Sequence, residues 1–428
     1  MSSLLLTRFL VIVLLGTGLA IIQADAEITS ALLRQALLFS LILLLGALLE
    51  KKFHYKDKGD RYLLPAVEII LAIGLVFLVR IDPELALRQF WWANIGLIIY
   101  YGVLFGLRDY RRLGQLPYLW GLAAVVLLIV TLLFGATRGG ATSWLGFAGF
   151  NVEPEEFVKI ALLLFLASYL GENQEILRVG TIQVGRFSLP DWHTLGPFLV
   201  MAAFSLGLLA AQKSLGTALV FYSLFALLLF VVTERPLYLG LALPIFILTF
   251  VLGYLLFGHV RLRVEVWLNP WLDPAGGGYQ IVQSLFAIGG GKILGTGLGN
   301  GIGAYLIPAA GTDFIFSVIA EELGFTGAMA LLCFFLIIIM RAFVISNNAP
   351  DRFGQIIAAG IGILLGTETM IILAGVTKLL PLTGIPLPWV SYGGSSLVVH
   401  FFLLGLLANI SQAADKGVLK NRGREYAA

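Results

Sequence analysis

The sequence predicts an all-α integral membrane protein, a polytopic helical bundle of about twelve transmembrane helices with one long outward-facing loop. Three observations carry this. Of 428 residues, 59% are hydrophobic and only 12% charged, against roughly 25% charged in a soluble domain. Apolar runs long enough to cross a bilayer as helices recur along the whole chain. One stretch, 267–303, breaks the pattern: it is glycine-rich, interrupted by Pro270 and Pro274, and carries the acid Asp273.

The expected spans, in order, are Leu4–Ile22, Ala31–Leu49, Leu63–Val79, Phe90–Leu107, Tyr118–Phe134, Phe157–Leu170, Leu195–Ala211, Thr217–Thr233, Leu237–Phe257, Phe314–Met340, Gln355–Ala374 and Ser396–Ser411. The first begins near Arg8, and Ala24-Asp25-Ala26 has the small-x-small form of a signal-peptidase site; the reading favoured here is an uncleaved helix. The sixth and twelfth are short. The tenth carries Glu321, Glu322, Gly324 and Gly327 in its first half, which is expected to face protein rather than lipid. The inward connection 171–194 reads as a solvated loop.

Orientation follows from Lys and Arg in the loops. With the N-terminus inside, most of the 28 Lys and Arg lie on the cytoplasmic side, including Lys51, Lys52, Lys56, Lys58, Arg61, Arg108, Arg111, Arg112 and the tail Lys416, Lys420, Arg422 and Arg424. Both termini are then cytoplasmic and 258–313 is extracytoplasmic. The net charge of +3 is too small to suggest a nucleic-acid partner. The lone Cys333 lies in an apolar run and reads as a small core residue.

Common chemical signatures are missing. His54, His193, His259 and His400 have no ligand spacing, and there is no CxxC, HExxH or G-x-S-x-G. The run GTGLGNG at 295–301 has no preceding strand and no following GK[ST], so its glycines read as tight turns. Asp273, in N-P-W-L-D-P, is stiffened by prolines on both sides. Such an acid is a general base, a cation ligand or a turn-former. Tyr279, Gln280, Gln283 and Ser284 follow at helical spacing and offer one polar face. Glu153, Glu155, Glu156 and Lys159 cluster at the outer end of the sixth span, as an ion pair or as a contact for a diphosphate. The outward loop 375–396, ending in S-Y-G-G-S-S, offers Ser391 and Ser395 as helix caps or anion contacts. His400 reads as a packed, hydrogen-bonded residue.

Five segments together resemble the SEDS family, the FtsW/RodA/SpoVE membrane proteins of bacterial cell-wall synthesis. They are NPWLDPAGGGYQIVQSLFAIGGGKILGTGLGNG (269–301), TDFIFSVIAEELGFTGA (312–328), LPLTGIPLPWVSYGGSSL (380–397), GGATSWLGFAGFNVEPEEFVKIAL (139–162) and QKSLGTALV (212–220). The resemblance implies a ten-helix glycosyltransferase core over residues 63–411. Residues 1–62 are then an added N-terminal helix pair with a basic loop, and 412–428 a short basic tail. It further implies polymerisation of lipid II at the outer face of the cytoplasmic membrane, with a class B penicillin-binding protein as transpeptidase partner. By motif match Asp273 is the catalytic acid. The expected contacts to lipid II and its diphosphate are Trp144, Glu156, Lys159, Arg261, Arg263, Tyr279, Gln283, Lys378, Ser391 and Ser395. A divalent cation, Mg or Mn, is the only cofactor expected.

Three motifs depart from the family's usual pattern. Where it has GAxRW, this chain has Gly140-Ala141-Thr142-Ser143-Trp144. Where it has QPSE, this chain has Glu153-Pro154-Glu155-Glu156. Where it has QPDLGTA, this chain has Gln212-Lys213-Ser214-Leu215-Gly216-Thr217-Ala218. Two rival readings remain open at this level. The charged spans would suit a flippase for lipid-linked precursor, and the departures would suit an inactive scaffold for a penicillin-binding protein.

Overall fold

The computed structural model describes residues 3–22, 29–52, 59–138, 141–147, 150–180, 182–184 and 187–425. The possible cleavage site at 24–26, and Lys56 and Lys58, lie outside these. Each expected span is a helix: α1 Ser3–Ile22, α2 Ser30–Lys52, α3 Leu63–Ile81, α4 Pro83–Gly106, α5 Pro117–Phe134, α6 Pro154–Val179, α7 Trp192–Ala211, α8 Leu215–Thr233 and α9 Pro236–Leu256, then α13 Ile315–Asn348, α14 Arg352–Val376 and α15 Gly394–Glu425. Between them lie α10 Gly258–Leu268, α11 Tyr279–Gly291 and the single turn α12 Gly303–Leu306. Among the described residues, ten helices are long and apolar enough to cross a membrane. The remaining two long helices, α4 and α6, are diluted by polar groups such as Arg88, Gln89 and Asn94, or Glu172, Asn173 and Gln174.

Helix boundaries follow local chemistry. Pro83, Pro117, Pro154 and Pro236 open α4, α5, α6 and α9, where a missing N–H costs nothing. α4 starts well before Phe90 because Asp82 caps it, accepting from the N–H groups of Glu84 and Leu85. α6 continues past Leu170 to Val179, so part of the expected inward loop is helical. The rest holds the hairpin β4 Ile182–Val184 and β5 Phe187–Leu189. The segment 135–156, expected to face outward, contains a three-stranded antiparallel sheet, β1 Ala136–Arg138, β2 Ala141–Phe147 and β3 Phe150–Val152.

The chain divides into two compact units. The first comprises 1–107, 262–341 and 368–428, the second 108–261 and 342–367. In the first, α15 packs on α4 and α3, α1 on α3 and α2 on α4. Arg8 of α1 pairs with Glu50 of α2 at 3.2 Å and Glu68 of α3 at 2.8 Å, all three buried. Such charges inside an apolar bundle persist only when paired. His400 of α15 is packed as expected, its Nε2 2.7 Å from Glu368 of α14 and its Nδ1 2.7 Å from the Ser396 carbonyl. In the second unit, α6 packs against α5 and α8, and α7 joins α5 to α8. α9 lies on α8 and leaves Leu243, Ile245, Leu248, Leu255 and Leu256 exposed, as a lipid-facing helix requires.

Candidate active site

In the first unit the polar segment begins where α10 ends. Asn269 leads into a 3₁₀ turn, Pro270–Leu272, and the Asp273 side chain then closes the next turn. Its carboxylate accepts from the backbone N–H of Gly276 at 3.0 Å and of Gly277 at 2.8 Å. A Cβ on Gly276 would collide with that carboxylate, and one on Gly278 with the Pro270 carbonyl. The glycines therefore let the chain fold tightly round the acid. Asp273 remains exposed. It is a turn-former in geometry, and each oxygen keeps lone pairs for a substrate proton or a cation.

α11 carries the expected polar face only in part. Tyr279, Gln280 and Gln283 are half-buried. Ser284 is instead buried, 2.7 Å from the Ser317 hydroxyl and donating to the Val376 carbonyl at 2.9 Å. The glycine run after α11 is a structural loop. Gly299 N–H donates to Glu322 at 2.8 Å, and Ile302 and Gly303 N–H donate to Glu321 at 3.2 and 2.8 Å. Arg80 of α3 donates to the carbonyls of Gly299 at 2.6 Å and Gly301 at 3.3 Å, and its side chain lies 3.6 Å from Glu322. Glu321 and Glu322 thus serve as caps for this loop. Gly324, with φ +67°, interrupts α13 two residues after Glu322, so 315–323 is a separate, largely buried piece.

The proline-rich loop 375–396 is clipped to α10. Arg263 donates to the carbonyls of Leu382 and Thr383, both at 3.3 Å, and Trp267 Nε1 donates to the Lys378 carbonyl at 3.2 Å. The Ser391 hydroxyl donates to the Thr312 carbonyl at 2.5 Å and accepts from Leu387 N–H at 2.9 Å. Arg263 and Ser391, both expected to meet substrate, are therefore engaged with backbone. Ser395 is buried in the first turn of α15. The half-buried Lys378 keeps its ammonium free of hydrogen-bond and ion-pair partners among the described residues. A second acid, Asp313, is half-buried in the same unit. Burial pushes its pKa up to about 6, against the opposing pull of Thr312 and Arg263.

The second unit holds the other candidates. Lys159 Nζ lies 2.8 Å from both oxygens of Glu156, one turn earlier on α6, and both residues are buried. The neighbouring Glu155 accepts from the Ser214 hydroxyl at 2.6 Å, with the Ser143 and Thr217 side chains beside the same carboxyl. Trp144 is half-buried on β2. Arg261 is exposed, donates to the Leu255 carbonyl at 3.3 Å and stacks over Tyr254. The side chain of Arg138, next to the altered Ser143 motif, lies outside the described residues.

Sequence reasoning missed Arg80 and Asp313. Arg80 carried a usable signal, since a lone arginine at the end of an apolar run needs a partner. Asp313 carried none, because its burial depends on chain segments far away in sequence.

The FtsW/RodA/SpoVE family model, described as cell cycle protein, matches residues 61–416. The peptidoglycan glycosyltransferase RodA of Mycobacterium tuberculosis is 38% identical over 371 residues, covering 83% of this chain and 79% of the relative. Stage V sporulation protein E of Bacillus subtilis is 33% identical over 372 residues, covering 83% and 98%. Among solved structures, a chain from a peptidoglycan synthase complex that coordinates polymerization and crosslinking matches with a TM-score of 0.68 at 30% identity. That match covers 83% of this chain and 98% of the other.

Proposed function

Because the chain belongs to the FtsW/RodA/SpoVE family, we propose that it is a peptidoglycan glycosyltransferase that polymerises lipid II at the outer face of the cytoplasmic membrane, with Asp273 as general base. It is a multi-span membrane protein of bacterial cell-wall synthesis, and its activity is peptidoglycan glycosyl transfer. The observation that carries the assignment of the acid is the exposed Asp273 carboxylate, oriented by two backbone N–H groups within the segment that keeps the family's pattern.

In this reading the acceptor is the sugar 4-hydroxyl of one lipid II. The donor is the anomeric carbon of the growing chain, still joined to its lipid diphosphate. As the hydroxyl oxygen attacks that carbon, Asp273 takes its proton; the bond from the carbon to the phosphate oxygen breaks, and the lipid diphosphate leaves with the electron pair. In the first unit, Lys378 is the proposed contact to a diphosphate, with Tyr279 and Gln283 against sugar; in the second, the Lys159–Glu156 pair is the proposed diphosphate contact and Trp144 the sugar contact. No three of His, Cys, Asp and Glu converge as ligands among the described residues. Were a magnesium or manganese ion bound, the exposed Asp273 carboxylate would be the residue to hold it, with water and substrate oxygens as its other ligands. It would neutralise charge on the leaving group.

The proposed partner is a class B penicillin-binding protein. The match to a chain of a peptidoglycan synthase complex supports it. Loop charge supports cytoplasmic termini and an external 258–313 segment.

The test is polymerisation of lipid II by purified protein, wild type and Asp273→Asn, with and without a co-expressed transpeptidase. Polymer from the wild type and its loss in the variant are expected. Normal polymer from Asp273→Asn would overturn the assignment of the acid. Transport of labelled lipid II across vesicles without polymer would instead favour a flippase.

A further inference from the structure

The three motif departures, far apart in sequence, meet at one point in the second unit. Glu155 opens α6, Ser214 precedes α8 and Ser143 lies on β2. Their side chains meet: the Ser214 hydroxyl donates to Glu155 Oε2 at 2.6 Å, and Ser143 lies beside the same carboxyl, whose Oε1 is buried with no hydrogen-bond partner among the described residues. Thr217 closes the group, with its Oγ1 3.1 Å from Ser214 Oγ. Glu155 and Ser214 are both buried. The backbone runs in parallel with this cluster. Thr142 N–H donates to the Gln212 carbonyl at 2.9 Å, and the Gln212 side chain donates to the Leu128 carbonyl at 2.6 Å.

In the family pattern described above, the position of Glu155 holds serine and that of Ser214 holds aspartate. This chain has the same two chemical partners, one acid and one hydroxyl, with their places exchanged. Each change alone is costly. A glutamate at 155 facing an aspartate at 214 would set two carboxylates together in a buried site, where both cannot ionise. A serine facing a serine would lose the charge-assisted bond. Only the pair of changes keeps the contact. The arginine that the pattern has at 143 is replaced by a serine, which here lies beside the acid.

We infer that Glu155, Ser214 and Ser143 form one positioning unit, rebuilt by compensating exchange, that holds the first turn of α6 so that the adjacent Glu156–Lys159 pair is aimed at the lipid-linked diphosphate. Glu155 lies next to Glu156 and one turn before Lys159, so the hydrogen bond from Ser214, just ahead of α8, and the neighbouring Ser143 of β2 fix the rotation of that turn. Glu155 acts through its neighbours and needs no contact with substrate. The inference rests on the reading of Lys159 as a substrate contact.

The test is an exchange series in the full-length protein: Glu155→Ser, Ser214→Asp, the two together, and the two with Ser143→Arg. Lipid II polymerisation is measured as KM and kcat, alongside detergent melting temperature. Each single change is expected to raise KM at least about tenfold, the scale of one lost charge-assisted bond. The double exchange is expected to return KM to within about threefold of wild type. A single variant that does not accumulate is judged by whether the double exchange restores both recovery and activity. A double variant no better than its worse single, or one that regains melting temperature without regaining KM, overturns the inference. Lys159→Met separates the two levels. If it polymerises with unchanged KM, the reading of Lys159 fails, while rescue of folding in the exchange series still reports whether the three residues are coupled.

Discussion

Asp273 and Gly277 are joined by a 2.8 Å hydrogen bond from the glycine N–H to the acid's Oδ2, so the residue proposed for catalysis also closes its own turn. The two roles separate by substitution. Asn keeps an acceptor for the turn and loses the base, whereas Ala loses both. Asp273→Asn should retain the wild-type melting temperature within about 2 °C and lose about 10²–10⁴ in kcat, the ordinary worth of general base catalysis. Asp273→Ala should lose the same activity and about 1 kcal/mol of stability besides. Parallel thermal melts and polymerisation assays check both.

Lys159 and Glu156 are buried together, so removing one strands the other. Lys159→Met should cost about 3–5 kcal/mol, the scale for breaking a buried ion pair. Lys159→Met with Glu156→Gln should recover most of that loss. Activity should stay low in both if the ammonium meets the diphosphate. Denaturation in detergent, paired with lipid II turnover, tells stability from binding.

Arg80 holds the glycine loop through two carbonyls and faces Glu322. Arg80→Gln should leave Glu322 uncompensated and release loop 295–303. The expected result is a loss of about 3 kcal/mol or more and faster hydrogen exchange at the amides of Gly299 and Gly303. Protection unchanged at those amides would show that Glu321 and Glu322 hold the loop without Arg80.

Gly324 has φ +67°, and a Cβ there would meet the backbone of Ile293 and Leu294 as well as that of Gly295. Gly324→Ala is expected to cost several kcal/mol, from left-handed strain together with overpacking against backbone. It should lower the melting temperature more than the same change at Gly289, whose Cβ would meet nothing.

Asp313 titrates at about 6 in the folded chain, above its ordinary value of 3.8. The folded state therefore holds this proton more tightly. Its contribution to stability is present in full below about pH 4 and is lost as pH rises through about 6. Asp313→Asn should gain melting temperature relative to wild type between pH 4.5 and pH 7.5, measured as the difference between the two curves. A difference that stays flat, or falls as pH rises, would contradict this.

The helices were legible because lipid imposes a local rule. A span must satisfy its own backbone, so length and apolarity suffice to find it. The break at Gly324 was not legible: the expected span Phe314–Met340 runs straight across it, and only the backbone shows φ +67° there. Residue roles were also less legible than the spans. Ser284 sits at the same spacing as Tyr279 and Gln283, yet it points into the core, because helical spacing names a face but not which face is covered. Arg263 and Ser391 resembled substrate contacts until backbone carbonyls from the proline-rich loop and from Thr312 were found against them.

The membrane class, the order of helices and the segment bearing Asp273 were all readable from the amino-acid order alone. These depend on composition, period and motif, which are read along one chain. Packing alone reveals which polar groups are already engaged: Glu321 and Glu322 cap a loop, while Lys378 keeps an ammonium with no partner among the described residues. It also decided that Ser143, Glu155 and Ser214 are one cluster rather than three separate departures. A hydrogen bond between side chains 59 positions apart leaves no period in the sequence. It exists because packing brings the starts of α6 and α8 together, and the cost of an unpaired buried charge then ties their residues to one another.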